Sequence, residues 1–136
     1  MIAAINDPNP VLFFEHKALY RTQKEAVSTG EYEIEIGKAA LVKSGTKLTI
    51  ISYGAALQEA LQIVEKENIG DAEVIDLRSL QPLDKDTIFT SVKKTGKVII
   101  LTEDSLFGSM ASEIAAQINE PCFEFLDAPA IRVGSM

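Results

Sequence analysis

One histidine and one cysteine bound the chemistry open to this chain. A thiolate paired with an imidazole makes a nucleophile. Cys122, however, sits among Phe123, Phe125 and Leu126, the setting of a buried structural thiol. His16 follows an apolar run, and α/β sheets place ligand groups at strand ends. A single imidazole makes no site, so His16 is expected to be partly buried and bonded to backbone or to Glu15. Glu103 and Asp104 are adjacent carboxylates, a pairing that can do acid–base work. Successive side chains of a strand point to opposite faces, which predicts instead one loop cap and one solvated acid. Asp76 and Arg78 have the spacing of a structural ion pair or interface contact. Gly54, at a strand-to-helix turn, either aims a helix N-terminus at an anion or serves as a tight connection. The chain has no GxGxxG after a strand, no GxxxxGK[ST], no GxSxG and no His/Cys metal spacing.

The elements that must position these residues follow from periodicity. Val11–Glu15, after the breaker segment Asp7-Pro8-Asn9-Pro10, is a continuous β-forming run and reads as a buried strand. His16–Arg21 has room for one helical turn, and Thr22–Gly30 is a polar surface connection. Tyr32–Ile36 alternates, as in an edge strand or extended arm, and Lys38–Val42 is a further short strand. Lys47–Tyr53 is near-continuously apolar, the mark of a strand covered on both faces. A helix from Ala55 to about Asn68 buries Leu57, Ala60, Leu61 and Val64 and closes at Gly70. Ala72–Ile75 is the next strand. Asp84 caps a helix with Ile88, Phe89 and Val92 inward, ended by Gly96. Val98–Leu101 is a strand. Ser109 opens a helix with Met110, Ile114 and Ile118 inward, stopping before Pro121. Cys122–Leu126 is short and apolar, and Ala130–Val133 is the last strand. Three strand–helix units in succession imply a parallel sheet with right-handed crossovers. The expected fold class is therefore α/β, three-layer, with a mostly parallel sheet and helices on both faces.

At 136 residues, 46% apolar and 24% charged, the chain has the length and composition of one globular domain. Its arrangement is expected to be an N-terminal strand or arm segment over residues 1–46 and a βα-repeat core over residues 47–136. A net charge of −7 argues against nucleic acid and anionic membrane as partners. No apolar run reaches bilayer-spanning length, and Met1–Ile5 has no basic n-region of a signal peptide. The lone cysteine is compatible with a cytoplasmic location.

Three segments carry a resemblance: Val11–Arg21 (VLFFEHKALYR), Val74–Asp84 (VIDLRSLQPLD) and Lys97–Asp104 (KVIILTED). Together they resemble the C-terminal domain of the β subunit of thiamine-diphosphate-dependent 2-oxo acid dehydrogenases, the transketolase C-terminal domain family. FFEHKALYR is most similar to the FFExKxLYR of branched-chain (2-oxoisovalerate) members. Glu103–Ala116 resembles the family's ED…GGFGAEIAA stretch, with Ser109 in place of the second glycine and Ser112 in place of a small residue. Phe123–Arg132 matches FxxLDAPxxR.

The resemblance implies a parent enzyme that decarboxylates a 2-oxo acid on thiamine diphosphate with magnesium and passes the acyl group to lipoyl. It implies that this chain, an excised domain, binds neither cofactor and serves association and docking. The implied partners are the α subunit or α region, a second β subunit and the dihydrolipoyl acyltransferase core, with weak self-association of the chain alone. Ala4, Ile5, Asp7 and Asn9 lie in a stretch similar to the family's potassium-binding segment, where backbone carbonyls supply ligands; a plain Pro-Asn turn is the competing reading. The other functional readings are a pyruvate or acetoin dehydrogenase β subunit, a stand-alone binding or assembly module, and a flavodoxin-like nucleotide binder, which the missing phosphate loop disfavours.

Overall fold

The computed structural model describes residues 1–24 and 26–135; Glu25, in the expected Thr22–Gly30 connection, and Met136 lie outside the described residues. Five strands form one sheet: β1 (Ala40–Lys43), β2 (Leu48–Ser52), β3 (Ala72–Asp76), β4 (Val98–Ser105) and β5 (Ile131–Ser135). Their order is β1-β3-β2-β4-β5, with every pair parallel except β1 against β3. The helices are α1 (Ile2–Asn6), α2 (Leu19–Thr22), α3 (Gly54–Lys66), α4 (Lys85–Thr95) and α5 (Met110–Cys122), and a 3-10 turn spans Phe123–Phe125.

Alternation along the central strands sorts the core into two layers. Ile50 and Val74 face α3 and pack with Leu57, Ala60 and Val64. Ile51, Ile75 and Ile100 face the other way, against Ile88 and Val92 of α4 and Ile114 and Ile118 of α5. Both faces are thus covered, as an α/β sheet of continuous apolar strands requires. The crossovers from β2 through α3 and from β3 through α4 run to opposite sides of β2, so a topological switch point falls between β2 and β4.

Capping residues set both ends of α4. Asp84 accepts from the Thr87 N–H at 3.2 Å and the Thr87 hydroxyl at 2.8 Å, and also from the Ala39 N–H at 3.0 Å, tying β1 to the start of α4. Burial opposes its ionisation, but these donors outweigh that and hold the carboxyl below the usual aspartate range. Gly96 ends α4 at φ 67°.

Among the boundaries that differ from those the sequence predicts, three have a local cause. α3 ends before Gly70: Asn68 takes the left-handed position at φ 52°, Ile69 N–H donates to the Val64 carbonyl and Asn68 N–H to that of Glu65, a Schellman closure with asparagine at its turn. α5 does not stop before Pro121 but contains it, one residue from the end, where the missing N–H removes only a last-turn bond. β4 runs four residues past Leu101 because β5 continues alongside it, pairing Ser105 with Ser135.

The larger correction concerns Val11–Glu15. These residues form no strand, and Leu12 and Phe14 are 83% and 87% exposed. None of the sheet's pairings involves them. Tyr32–Ile36 likewise forms no strand; it is an arm. The predicted turn at His16–Arg21 is present as α2, shifted by three residues at its start.

Candidate functional site at the carboxyl edge of the sheet

The switch point gathers several of the residues that chemistry singles out. β2 ends at Ser52 and leads through Tyr53 into Gly54, whose φ of 63° opens α3; a Cβ there would meet nothing within 4 Å. Beside it, β4 carries Glu103 and Asp104. The Tyr53 hydroxyl donates to Asp104 Oδ2 at 2.8 Å, bridging the two strand ends. Burial, then this bond and then the nearby carboxylates push the phenol far above its ordinary value, so Tyr53 is a fixed donor and not a base. His16 reaches over from the arm, its Nε2 3.4 Å from Glu103 Oε1. The partner is therefore Glu103 and not Glu15, which instead accepts from Tyr20. Sequence reasoning treated His16 and Glu103 separately because 87 positions divide them (103 − 16).

An open cavity of about 640 Å³ continues from this edge, lined by Asp104, Phe107, Ser109, Met110, Ser112 and Glu113. Asp104 and Glu113 give the lining acidic groups, and the Arg132 guanidinium donates to Ser112 beside them. Gly54 thus serves as a tight connection, with carboxylates in front of its helix. Among the described residues no group of three or more His, Cys, Asp or Glu side chains could hold a metal ion. Among the described residues the hydrogen bonds at this edge pair no serine or cysteine with a histidine.

The remaining candidates lie apart. Asp76 accepts from the Arg78 N–H at 3.2 Å and its side chain stands 3.7 Å from the Arg78 guanidinium, a local ion pair around the left-handed Arg78 at φ 56°. Burial is the largest influence on Asp76 and raises its carboxyl above the ordinary value. Cys122 is fully buried, and burial pushes its thiol up, the opposite of an activated nucleophile. Ala4 and Ile5 lie in α1, and Asp7 is its C-cap. Asp7 Oδ1 accepts from the Asn9 N–H at 2.9 Å and from Asn9 Nδ2 at 3.0 Å, so Asp7 and Asn9 close an Asx turn.

Sequence reasoning missed two polar clusters inside the α4 layer. Glu73 is 2% exposed and is held by Lys94 and by the Gly45 N–H at 3.3 Å. Thr49 bonds to Ser91 at 2.7 Å and to Thr95 at 2.6 Å. Polar residues on alternate positions of a strand were the available signal: they face the same side as Ile51 and Ile75.

The strand order, the single antiparallel edge and the two helical layers define a mostly parallel α/β domain of doubly wound type. The sequence pattern of "Transketolase, C-terminal domain" matches residues 37–136, and the chain belongs to that family. It is 47% identical over 136 residues to the 2-oxoisovalerate dehydrogenase subunit beta, mitochondrial, of Dictyostelium discoideum, covering 98% of this chain and 37% of the relative. It is 44% identical over 135 residues to the pyruvate dehydrogenase E1 component subunit beta of Acholeplasma laidlawii, covering 97% of this chain and 41% of the relative. Among solved structures, a split gene transketolase in an inactive beta4 tetramer superposes with a TM-score of 0.63 at 30% identity, covering 81% of this chain and 36% of that one. The chain thus spans well under half the length of these relatives.

Proposed function

We propose that this chain is the association and docking domain of the β subunit, or β region, of a branched-chain 2-oxo acid dehydrogenase, and is not catalytic by itself. One observation carries the reading. The strand ends that would hold a substrate in a doubly wound fold carry acids, a fixed tyrosine donor and a histidine set against Glu103, while large apolar side chains of the arm stand in solvent. Such a surface suits assembly. The similarity to a 2-oxoisovalerate dehydrogenase β subunit supports the branched-chain type. The 44% identity to a pyruvate dehydrogenase β subunit supports the second reading, a pyruvate-type enzyme.

In the proposed parent enzyme, thiamine diphosphate with magnesium supplies the decarboxylation chemistry from outside this chain. The proposed partners are the α subunit or α region, a second β subunit and the dihydrolipoyl acyltransferase core. The net charge of −7 suits a basic docking surface on that core. The proposed location is the cytoplasm. Ala4, Ile5, Asp7 and Asn9 are proposed to contribute carbonyl oxygens to a potassium ion in the assembled enzyme. The last carbonyls of any helix lack intrahelical partners, and those of α1 are therefore free to coordinate.

The test is an oxidative decarboxylation assay on the natural complex, captured through this chain. Turnover dependent on thiamine diphosphate and faster with 3-methyl-2-oxobutanoate than with pyruvate is the expected result. Preference for pyruvate replaces the substrate class, and no turnover with either acid overturns the enzyme reading.

A further inference from the structure

We infer that the carbonyls of Ile69, Gly70 and Ala72 form a site for a monovalent cation, and that the Lys43 ammonium occupies it as a tethered ion. This site ties the N-terminal segment to the sheet whether or not the β-subunit reading holds. Lys43 Nζ donates to the Gly70 carbonyl at 2.8 Å, to that of Ala72 at 3.0 Å and to that of Ile69 at 3.4 Å. Backbone oxygens of one turn thus converge on one point, and the three N–H donors of an ammonium match them one for one. Among the described residues no carboxylate pairs with Lys43; Asp71, inside the same turn, gives its side chain to Lys47. The Asp71 carbonyl is taken as well, by the Thr46 and Lys47 N–H groups, both at 3.0 Å. A set of neutral carbonyl oxygens is the donor set of a potassium or ammonium ion. Calcium and magnesium sites are built on carboxylates, so the class of ion is monovalent.

The chain builds this cage from two sides. α3 closes at the left-handed Asn68, and β3 begins at Ala72, so the carbonyls between them belong to neither ladder and need other donors. They lie just past the negative end of α3, which favours a cation. On the other side, the register of β1 against β3 shifts between Leu41 and Lys43, a bulge that re-aims Lys43 towards the turn. Gly45 then passes so close to β3 that a Cβ there would overlap the Ala72 carbonyl carbon. Its N–H donates to Glu73 at 3.3 Å, which presses the segment onto the turn. Lys43 is therefore half-buried where its ammonium meets the oxygens. The tether fixes the local concentration of the ion, so occupancy does not depend on the salt in the medium.

Urea unfolding tests this in the chlorides of ammonium, potassium and tetramethylammonium at matched concentration, the last ion being too large for the cage. The natural chain gives the baseline that each salt sets by itself. Lys43→Ala is expected to lower the midpoint. Ammonium and potassium are then expected to raise its folded-to-unfolded ratio beyond that baseline, by up to about tenfold for each tenfold of ion, as one-site binding requires, and tetramethylammonium is not. Lys47→Ala, whose ammonium meets a side-chain carboxylate instead, is expected to show no such selectivity. A Lys43→Ala midpoint equal to the natural one overturns the inference. So does a lowered midpoint that answers to all three cations alike, which leaves Lys43 a plain hydrogen-bonding residue, or the same selectivity in Lys47→Ala. Where Lys43→Ala does not fold, the nitrogen resonance of the Lys43 ammonium decides in the natural chain. Protons held by three carbonyls exchange slowly with water, so this signal is expected beside that of Lys94, which Glu73 holds. A Lys94 signal with none from Lys43 overturns the inference.

Discussion

The arm and the sheet treat the same kinds of side chain in opposite ways. Leu12 and Phe14 of the arm stand in water, while Ile75, Ile100 and Ile114 have no exposed surface at all. The side-chain ties of the arm's described residues are polar, among them Asn6 to Glu33 and Tyr20 to Glu15 within it, and His16 to Glu103 across to the sheet. The sheet is held by apolar layers on both faces and by buried hydroxyl and ionic clusters. Apolar sequence therefore marks what a segment requires, and only the presence of facing elements satisfies it.

Truncating the core puts the comparison under the greatest load. Ile114→Ala and Ile75→Ala are each expected to cost about 2–5 kcal/mol in denaturant unfolding, through lost burial and residual cavity. Leu12→Ala is expected to change stability by less than about 0.5 kcal/mol. Equal losses at the two places would break the contrast.

A smaller effect comes from Lys94→Met. Glu73 stays almost fully enclosed but loses its cation, which is expected to cost about 1–3 kcal/mol, less than for a fully enclosed pair because the Lys94 side chain is 44% exposed. The sign with pH follows from the direction of the shift. Burial, the largest influence on Glu73, favours its neutral form, but the bonds from Lys94, Ser91 and Gly45 outweigh it and hold the carboxyl below its usual value. A depressed folded value gives stability that is present above the unfolded carboxylate range, about 4.3, and is lost as pH falls through the folded value. Unfolding curves between pH 6 and 3 are expected to show that acid loss in the natural chain and a weaker one in the Lys94→Met variant.

Asp84→Ala is expected to cost about 1–2 kcal/mol, because one carboxylate caps α4 and also receives the Ala39 N–H beside β1. The smallest expected effect is at the contact that joins the two regions. His16→Gln is expected to leave thermal stability within about 0.5 kcal/mol, since both partners are largely solvated. It is expected to speed tryptic cleavage after Lys17 and Arg21, while sites within α4 stay resistant; unchanged cleavage would show that the contact does not hold the arm.

The amino-acid sequence alone determined the strand–helix alternation and the inward stripes of α3, α4 and α5. It also determined the Asp84 and Gly96 caps and the buried thiol. Each depends on residues close together in the chain, whose periodicity and turn chemistry act locally. Tertiary structure alone decided the rest. Asn68 took the turn that Gly70 offered because the carbonyls at the end of α3 were within its reach. The pairing partner β5 set how far β4 runs. The neighbours of His16 and Glu73 came from across the molecule, 87 and 21 positions away (103 − 16 and 94 − 73), distances over which no sequence spacing carries information. Val11–Glu15 shows the same limit from the other side. Its side chains specify a covered strand, but cover is supplied by a facing surface, and this domain has none to give it.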